Sequence, residues 1–202
     1  LIDGIDGLAS GLILLSCVTL SFIYLERNMV EASFLAIILT GSIFGFLIFN
    51  FPPAKIILGD TGSLPLGLLI SLITLLPLSQ KHTDEIYYLI PIITLLIPIL
   101  DTTFAFFRRL LKGISPFSKD AQHFHHRLIK LGFSQLKTIT ILFIVCFYLN
   151  LTSLLPAYNI DLIPNFIPLY FLFVIINIGV LLLLLKRLEK KKQEKYHGNL
   201  FE

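Results

Sequence analysis

Six stretches of the chain are apolar almost without interruption: residues 8–25, 32–51, 62–79, 87–107, 138–155 and 166–185. Each is close to the ~20 residues that carry a helix across a bilayer core. None shows the strict alternation over ~10 residues that marks a barrel strand. In hydrocarbon every backbone polar group must be paired within its own segment, so the six stretches predict helices. The connections are short, except for 108–137 and the tail beyond 186. The pattern predicts an all-α integral membrane protein, a polytopic bundle of about six transmembrane helices. Residues 1–185 form its membrane domain and 186–202 a basic tail.

Composition strengthens this. Hydrophobic residues make up 55% of the 202, and charged residues only 14%, where a soluble domain carries about 25%. Cys17 and Cys146 lie inside apolar stretches and read as small buried hydrophobes rather than a disulfide. The net charge of +3 is too small to point to nucleic acid. The first residue is Leu, no signal peptide precedes the motifs, and the sequence reads as a fragment of something longer.

The basic residues orient the bundle. Lys55, the segment with Arg108, Arg109, Lys112, Lys119, Arg127, Lys130 and Lys137, and the tail with Lys186, Arg187, Lys190, Lys191, Lys192 and Lys195 fall on one side. That is fourteen of the sixteen, with Arg27 and Lys81 left for the other side. The excess makes the first side cytoplasmic.

The polar residues then converge. Asp3 and Asp6 open the first helix, and Asp60 lies in the turn Gly59-Asp60-Thr61-Gly62-Ser63. Asp101 is near the cytoplasmic end of the fourth helix, and Arg108, Arg109, Asp120, His123, His125, His126 and Arg127 occupy the long loop. All reach the cytoplasmic face. The spacing of Asp3 and Asp6 puts both carboxylates on one helix face, where they serve either as a site or as a helix cap. A carboxylate among glycines and hydroxyls at Asp60 suits a hard cation such as Mg²⁺, or a capped turn. The His-x-His-His cluster beside Arg127 fits phosphate better than zinc, because no cysteine is near and two of its histidines are adjacent. A solvated basic loop against anionic lipid is the plainer alternative. Asp101 would be costly facing lipid, and Arg108 and Arg109, two turns on, are its expected partners.

These residues resemble a known family. Leu1-Ile2-Asp3-Gly4-Ile5-Asp6-Gly7-Leu8-Ala9 is similar to a signature of the polyprenyl-phosphate N-acetylhexosamine-1-phosphate transferases, glycosyltransferase family 4. The run Lys55–Leu64 resembles their Gly-Asp-x-Gly-Ser loop. Asp101, Arg108-Arg109, Ser115-Pro116-Phe117-Ser118-Lys119-Asp120 and His123-Phe124-His125-His126-Arg127-Leu128 resemble their last cytoplasmic loop. The His-x-His-His-Arg-Leu form looks like the branch that starts enterobacterial antigen, O-antigen and wall teichoic acid synthesis. An earlier Asp-Asp motif and several helices of the family are absent, and Ile57 stands where an aromatic residue is frequent.

The resemblance implies transfer of a sugar 1-phosphate, GlcNAc-1-phosphate above all, from a UDP-sugar to undecaprenyl phosphate, with UMP leaving. The alternatives are a phospho-MurNAc-pentapeptide transferase, a non-enzymatic transporter and an inactive remnant. It implies catalytic roles for Asp3, Asp6, Asp60, His123, His125 and His126, and phosphate binding by Arg127, Arg108, Arg109 and Asp120. Asp60 would hold Mg²⁺, with Mn²⁺ as the alternative. The implied partners are the two substrates, the lipid bilayer, the missing N-terminal half and a second copy, in a bacterial inner membrane. The fragment alone is expected to be inactive, with Asn50 and Asp101 lacking partners.

Overall fold

The computed structural model describes residues 5–79, 86–115 and 123–158, and single helical positions between 172 and 190. Asp3, Asp120 and most of the tail lie outside them. The described chain folds as α1 (Leu8–Glu26), α2 (Val30–Asn50), α3 (Gly59–Leu75), α4 (Ile86–Thr94), α5 (Leu96–Leu111), α6 (Phe124–Lys130) and α7 (Gln135–Tyr158). No strand occurs among the described residues. The chain is an all-α membrane protein. The spans Leu8–Glu26, Val30–Asn50, Gly59–Leu78 and Gln135–Leu154 are each long and apolar enough to cross a bilayer.

α1 is the axis of the bundle. Two thirds of its span is buried (67%), against 28% for α2 and 22% for the span that contains α3. α1 packs against α2, α3, α4, α5 and α7. The outer helices spend their apolar side chains on the surroundings instead: Phe34, Ile38, Phe44 and Ile48 of α2 and Leu64, Leu68 and Leu72 of α3 are exposed. In water that surface would aggregate; in lipid it is the solvated face.

Apolar packing alone does not hold such helices together, since lipid is as apolar as leucine. Small polar residues join them. The Ser10 hydroxyl of α1 donates to Asn50 Oδ1 of α2 (2.8 Å). The Ser33 hydroxyl of α2 donates to the Ser21 carbonyl of α1 (3.0 Å). The Ser16 hydroxyl donates to the Thr94 carbonyl of α4 (2.7 Å).

That third bond explains where the structure departs from the sequence pattern. The stretch 87–107 reads as one helix, yet the chain breaks at Leu95, between α4 and α5. In a continuous helix the Thr94 carbonyl would accept from the residue four positions on. That residue is Pro98, which has no N–H. The orphaned carbonyl turns to Ser16, so the break is tolerated because a neighbouring helix satisfies it.

Two apolar clusters stack along α1. One joins its second half, Cys17 to Tyr24, to α2, α3 and Ile90 of α4. The other joins Ile5, Leu8 and Leu12 to Leu96 and Ile97 of α5, Leu128 of α6 and Ile139, Leu142 and Cys146 of α7. Cys17 and Cys146 are free, buried thiols.

Replacing Ser16 with Ala should lower unfolding stability in detergent by about 1 kcal/mol, the usual worth of an interhelical hydrogen bond in these proteins. The cost should shrink in a Pro98→Ala background, where residue 98 can donate to Thr94. Equal costs in the two backgrounds, measured by thermal unfolding, would contradict the compensation.

Candidate functional site

The motif residues gather at the end of the bundle where α1 begins, α2 stops, and α5 meets α6. The expected pairing of Asp3 and Asp6 on a helix face cannot include Asp3, which lies outside the described residues, and Asp6 itself is not helical. It sits in a turn ahead of α1, whose N-terminal cap is Gly7 with φ +74. The turn is held from outside. Gly7 N–H donates to Asn50 Oδ1 (3.0 Å), the same oxygen that accepts Ser10, and Asn50 Nδ2 donates to the Ile56 carbonyl (2.9 Å). Asn50 is therefore buried with its amide bonded on both sides, against the expectation that it would lack partners. Its position follows from the chain: α2 ends there because Pro52 and Pro53 follow, and Phe51 is extended (ψ 141). One amide thus ties the Asp6 turn to the loop that leads into α3.

Asp60 lies in the first turn of α3, exposed, directly after Gly59 with φ +57. No side chain caps this helix, so neither Thr61 nor Ser63 takes the capping role. No group of three or more His, Cys, Asp and Glu converges on a metal-sized gap among the described residues. That donor set suits a Mg²⁺ ion held by one carboxylate and by substrate phosphates, and does not suit an all-protein cage.

Asp101 is the most committed acid of the region. It is buried on α5. Its Oδ2 lies 2.7 Å from His123 Nδ1, and its Oδ1 accepts Phe124 N–H at 2.8 Å. The expected pairing with Arg108 and Arg109 is replaced by a bond to the start of α6, where unpaired helical N–H groups favour a carboxylate. Both helices stop where this contact needs them to. Gly113 (φ +66) and Gly132 (φ +95) adopt the left-handed conformation after α5 and α6. In each case the two following amides turn back onto the last turn: Gly113 to Leu110 and Ile114 to Arg109, Gly132 to Ile129 and Phe133 to Leu128.

The His-x-His-His segment is the helix cap and first turn of α6 rather than open loop. The rings of His123 and His125 are parallel (3°) with centroids 5.7 Å apart, and His126 is 4.2 Å from His125. His125 is buried, and neither ring nitrogen finds a hydrogen bond among the described residues. Burial first, then the neighbouring His126, lower its pKa from 6.5 to about 4, and Asp101 opposes them. His125 is thus held neutral at ordinary pH.

Beside this cluster opens a cavity of 560 Å³. Arg108, Lys112, Arg127 and Lys186 bring four cations to its wall, and Phe104, Phe107, Leu111 and Leu183 bring an apolar lining. Arg109 is not among the lining residues. Asp101 and Phe124 form its inner edge. Phe104 meets Phe124 edge to face at 6.0 Å. Positive charge over an apolar groove suits a ligand with a phosphate head and a hydrocarbon body.

Three residues escaped the sequence reading as site-builders: Asn50, Lys112 and Lys186. The first had a usable signal, a lone amide at the end of an apolar run just before a Pro-Pro pair. The two lysines gave none beyond their charge.

Comparison with known proteins adds independent information. Residues 1–77 match the model of glycosyl transferase family 4. The probable undecaprenyl-phosphate N-acetylglucosaminyl 1-phosphate transferase of Bacillus subtilis (strain 168) is 40% identical over 154 residues, 76% of this chain and 43% of that protein. The decaprenyl-phosphate N-acetylglucosaminephosphotransferase of Mycobacterium leprae is 32% identical over 161 residues, 71% of this chain and 40% of that protein. The undecaprenyl-phosphate alpha-N-acetylglucosaminyl 1-phosphate transferase of Escherichia coli (strain K12) is 28% identical over 173 residues, 84% of this chain and 47% of that protein. The chain spans less than half the length of these relatives.

The lowered pKa of His125 sets a pH dependence. The unfolded state binds the proton from about pH 6.5 and the folded state only near 4, so stability is fully present above 6.5 and falls as pH drops through that window. A His125→Gln variant should lose this part of the slope of melting temperature against pH. An unchanged slope would show that His125 is solvated.

Proposed function

We propose that this chain, which belongs to glycosyl transferase family 4, is the part of a membrane enzyme that transfers GlcNAc-1-phosphate from UDP-GlcNAc to undecaprenyl phosphate. UMP leaves and a lipid-linked pyrophosphoryl sugar forms. The observation that carries the reading is the cavity where four cations stand over an apolar wall, beside the histidine cluster. A polyprenyl phosphate has that division of charge, and the relatives' names specify such a lipid. The reading also supports catalysis over transport: the ionisable groups collect at one end of the bundle, not along a path through it.

The chemistry asks for little covalent work from the protein. A lipid phosphate oxygen attacks the sugar-bound phosphorus of the nucleotide sugar, and the bond to the UMP oxygen breaks. Two anions must approach each other, and negative charge grows on the departing phosphate. Arg127 and Arg108 hold the lipid phosphate by charge-assisted hydrogen bonds. Lys112 and Lys186 add to the same positive field. His123 and His126 donate to phosphate oxygens and stabilise the charge that develops. His125, neutral and buried, gives the cluster a dry floor, so those bonds are made at low dielectric. Asp6, fixed through Gly7 and Asn50, would sit near the uridine, and Asp3 would orient the metal–phosphate cluster or its neighbours. Asp60 would hold Mg²⁺, which supplies charge neutralisation between the two phosphates when bound.

The site faces the cytoplasm in this proposal, because that is where UDP-sugars are found and where the basic excess points. A cysteine in place of Ser118 should be labelled by a membrane-impermeant reagent only after cells are opened. Labelling in intact cells would reverse the topology.

For the reaction itself, Asp60→Asn in the full-length protein should cut UMP release more than about a hundredfold, matching a loss of several kcal/mol. The residual rate should respond little to added Mg²⁺. Near-normal, metal-dependent turnover by this variant would remove Asp60 from the mechanism.

A further inference from the structure

We infer that Asp101 is a positioning residue for the transfer reaction, acting on phosphate through His123 and not by contact of its own. The inference deepens the proposed function and rests on it. It begins from an imbalance within the histidine cluster. His125 has no hydrogen bond at either ring nitrogen among the described residues, whereas His123 has one short bond, from Nδ1 to a buried carboxylate.

That bond determines chemistry as well as place. Both Asp101 oxygens are acceptors here, Oδ1 for Phe124 N–H and Oδ2 for the imidazole. The proton of a neutral His123 ring is therefore on Nδ1, and Nε2 carries the lone pair. A ring in this state can take up at Nε2 the proton of the attacking lipid monophosphate and pass it to the departing UMP phosphate oxygen, while the carboxylate stabilises the imidazolium formed in between. The same ring with the opposite tautomer has its Nε2–H fixed and cannot accept there. Asp101 thus selects the form of His123 that can both receive and donate at one atom.

It also fixes where that atom is. α5 and α6 are separated by the segment 112–123, and the Asp101 contact spans 22 and 23 residues of sequence. The carboxylate grips the cap residue and the first amide of α6 together, so the ring and the helix move as a unit. The rest of α6 is seated by Leu128 in the apolar cluster that contains Ile5 and Leu8. His123 is thereby held on Asp101, which lines the cationic cavity, at the start of a helix seated against the beginning of α1. Precision of this sort is what a positioning residue contributes: at metal sites, loss of a carboxylate that orients a ligating histidine typically costs 10–100-fold, and a loss of that order is expected here.

The test is Asp101→Asn in the full-length protein, with His123→Ala as its companion. Asn keeps the Oδ1 acceptor for Phe124, so α6 stays seated. Its NH₂ faces His123 Nδ1 and forces the proton to Nε2. In ¹⁵N-histidine NMR, with His123 assigned by its absence from His123→Ala, the wild type should show the Nδ1–H tautomer and the variant Nε2–H. The turnover number with undecaprenyl phosphate should fall about 10–100-fold, with KM changed much less and the melting temperature nearly kept. In a His123→Ala background the same substitution should cost almost nothing further. Asp101→Glu should not restore the rate, since the longer arm displaces the ring. An unchanged tautomer, or an additive loss in the double variant, would overturn the inference. If His123→Ala itself turns over normally while Asp101→Asn still switches the tautomer, the histidine's part in the proposed function fails and Asp101 loses its role in the reaction with it.

Discussion

A membrane interior leaves polar groups no water to fall back on, and this constraint organises the whole molecule. Several buried polar residues near the motifs have found partners on other elements: Asn50 with Gly7, Ser10 and Ile56, Ser16 with Thr94, Asp101 with His123 and Phe124. These contacts are directional, whereas the leucine and isoleucine packing between them is not. They decide which helices meet and at what height. Apolar burial fills in the fit once that is set.

The consequence is a division of labour along α1. Its second half is anchored to α2, α3 and α4, whose outward faces are left to lipid. Its first half supports the turn with Asp6, and through Ile5 and Leu8 it shares an apolar cluster with α6. The functional end is therefore mounted on the most enclosed helix of the bundle. Under the proposed function, groups that would hold two phosphates within reach of each other would gain from such a mount, because small displacements at a reacting centre cost rate steeply.

The fold class and most of the helices were legible in the sequence because hydrocarbon imposes length and apolarity on every crossing. The fourth helix was not, since its break depends on a serine hydroxyl more than seventy positions away meeting the carbonyl that Pro98 orphans. The prolines were visible, but the partner was not. Asp60, His123 and Arg127 stood out as motifs. The tie through Asn50 spans over forty residues, and the partner of Asp101 over twenty. Local spacing favoured Arg108 and Arg109 instead, two turns along the same helix. Long-range contacts of this kind leave no periodicity behind. They are inferred only from the principle that a buried charge must be paired, which says that a partner exists and not which one.

The same principle explains why the cavity has its sign. Among its described lining residues Asp101 is the only acid, set against Arg108, Lys112, Arg127 and Lys186. That carboxylate is already engaged with His123 and Phe124, which turns its charge away from the cations toward the histidine cluster. Arg108, Lys112, Arg127 and Lys186 place positive charge around 560 Å³, beside the apolar side chains of Phe104, Phe107, Leu111 and Leu183. Positive charge at the cavity wall favours an anion, while a hydrocarbon part would replace lipid against the apolar side chains at little cost. Charge selects the head group and the membrane itself accommodates the tail. On the proposed function, a site built this way would tolerate variation in the chain behind the phosphate, and the relatives' names include both undecaprenyl and decaprenyl carriers.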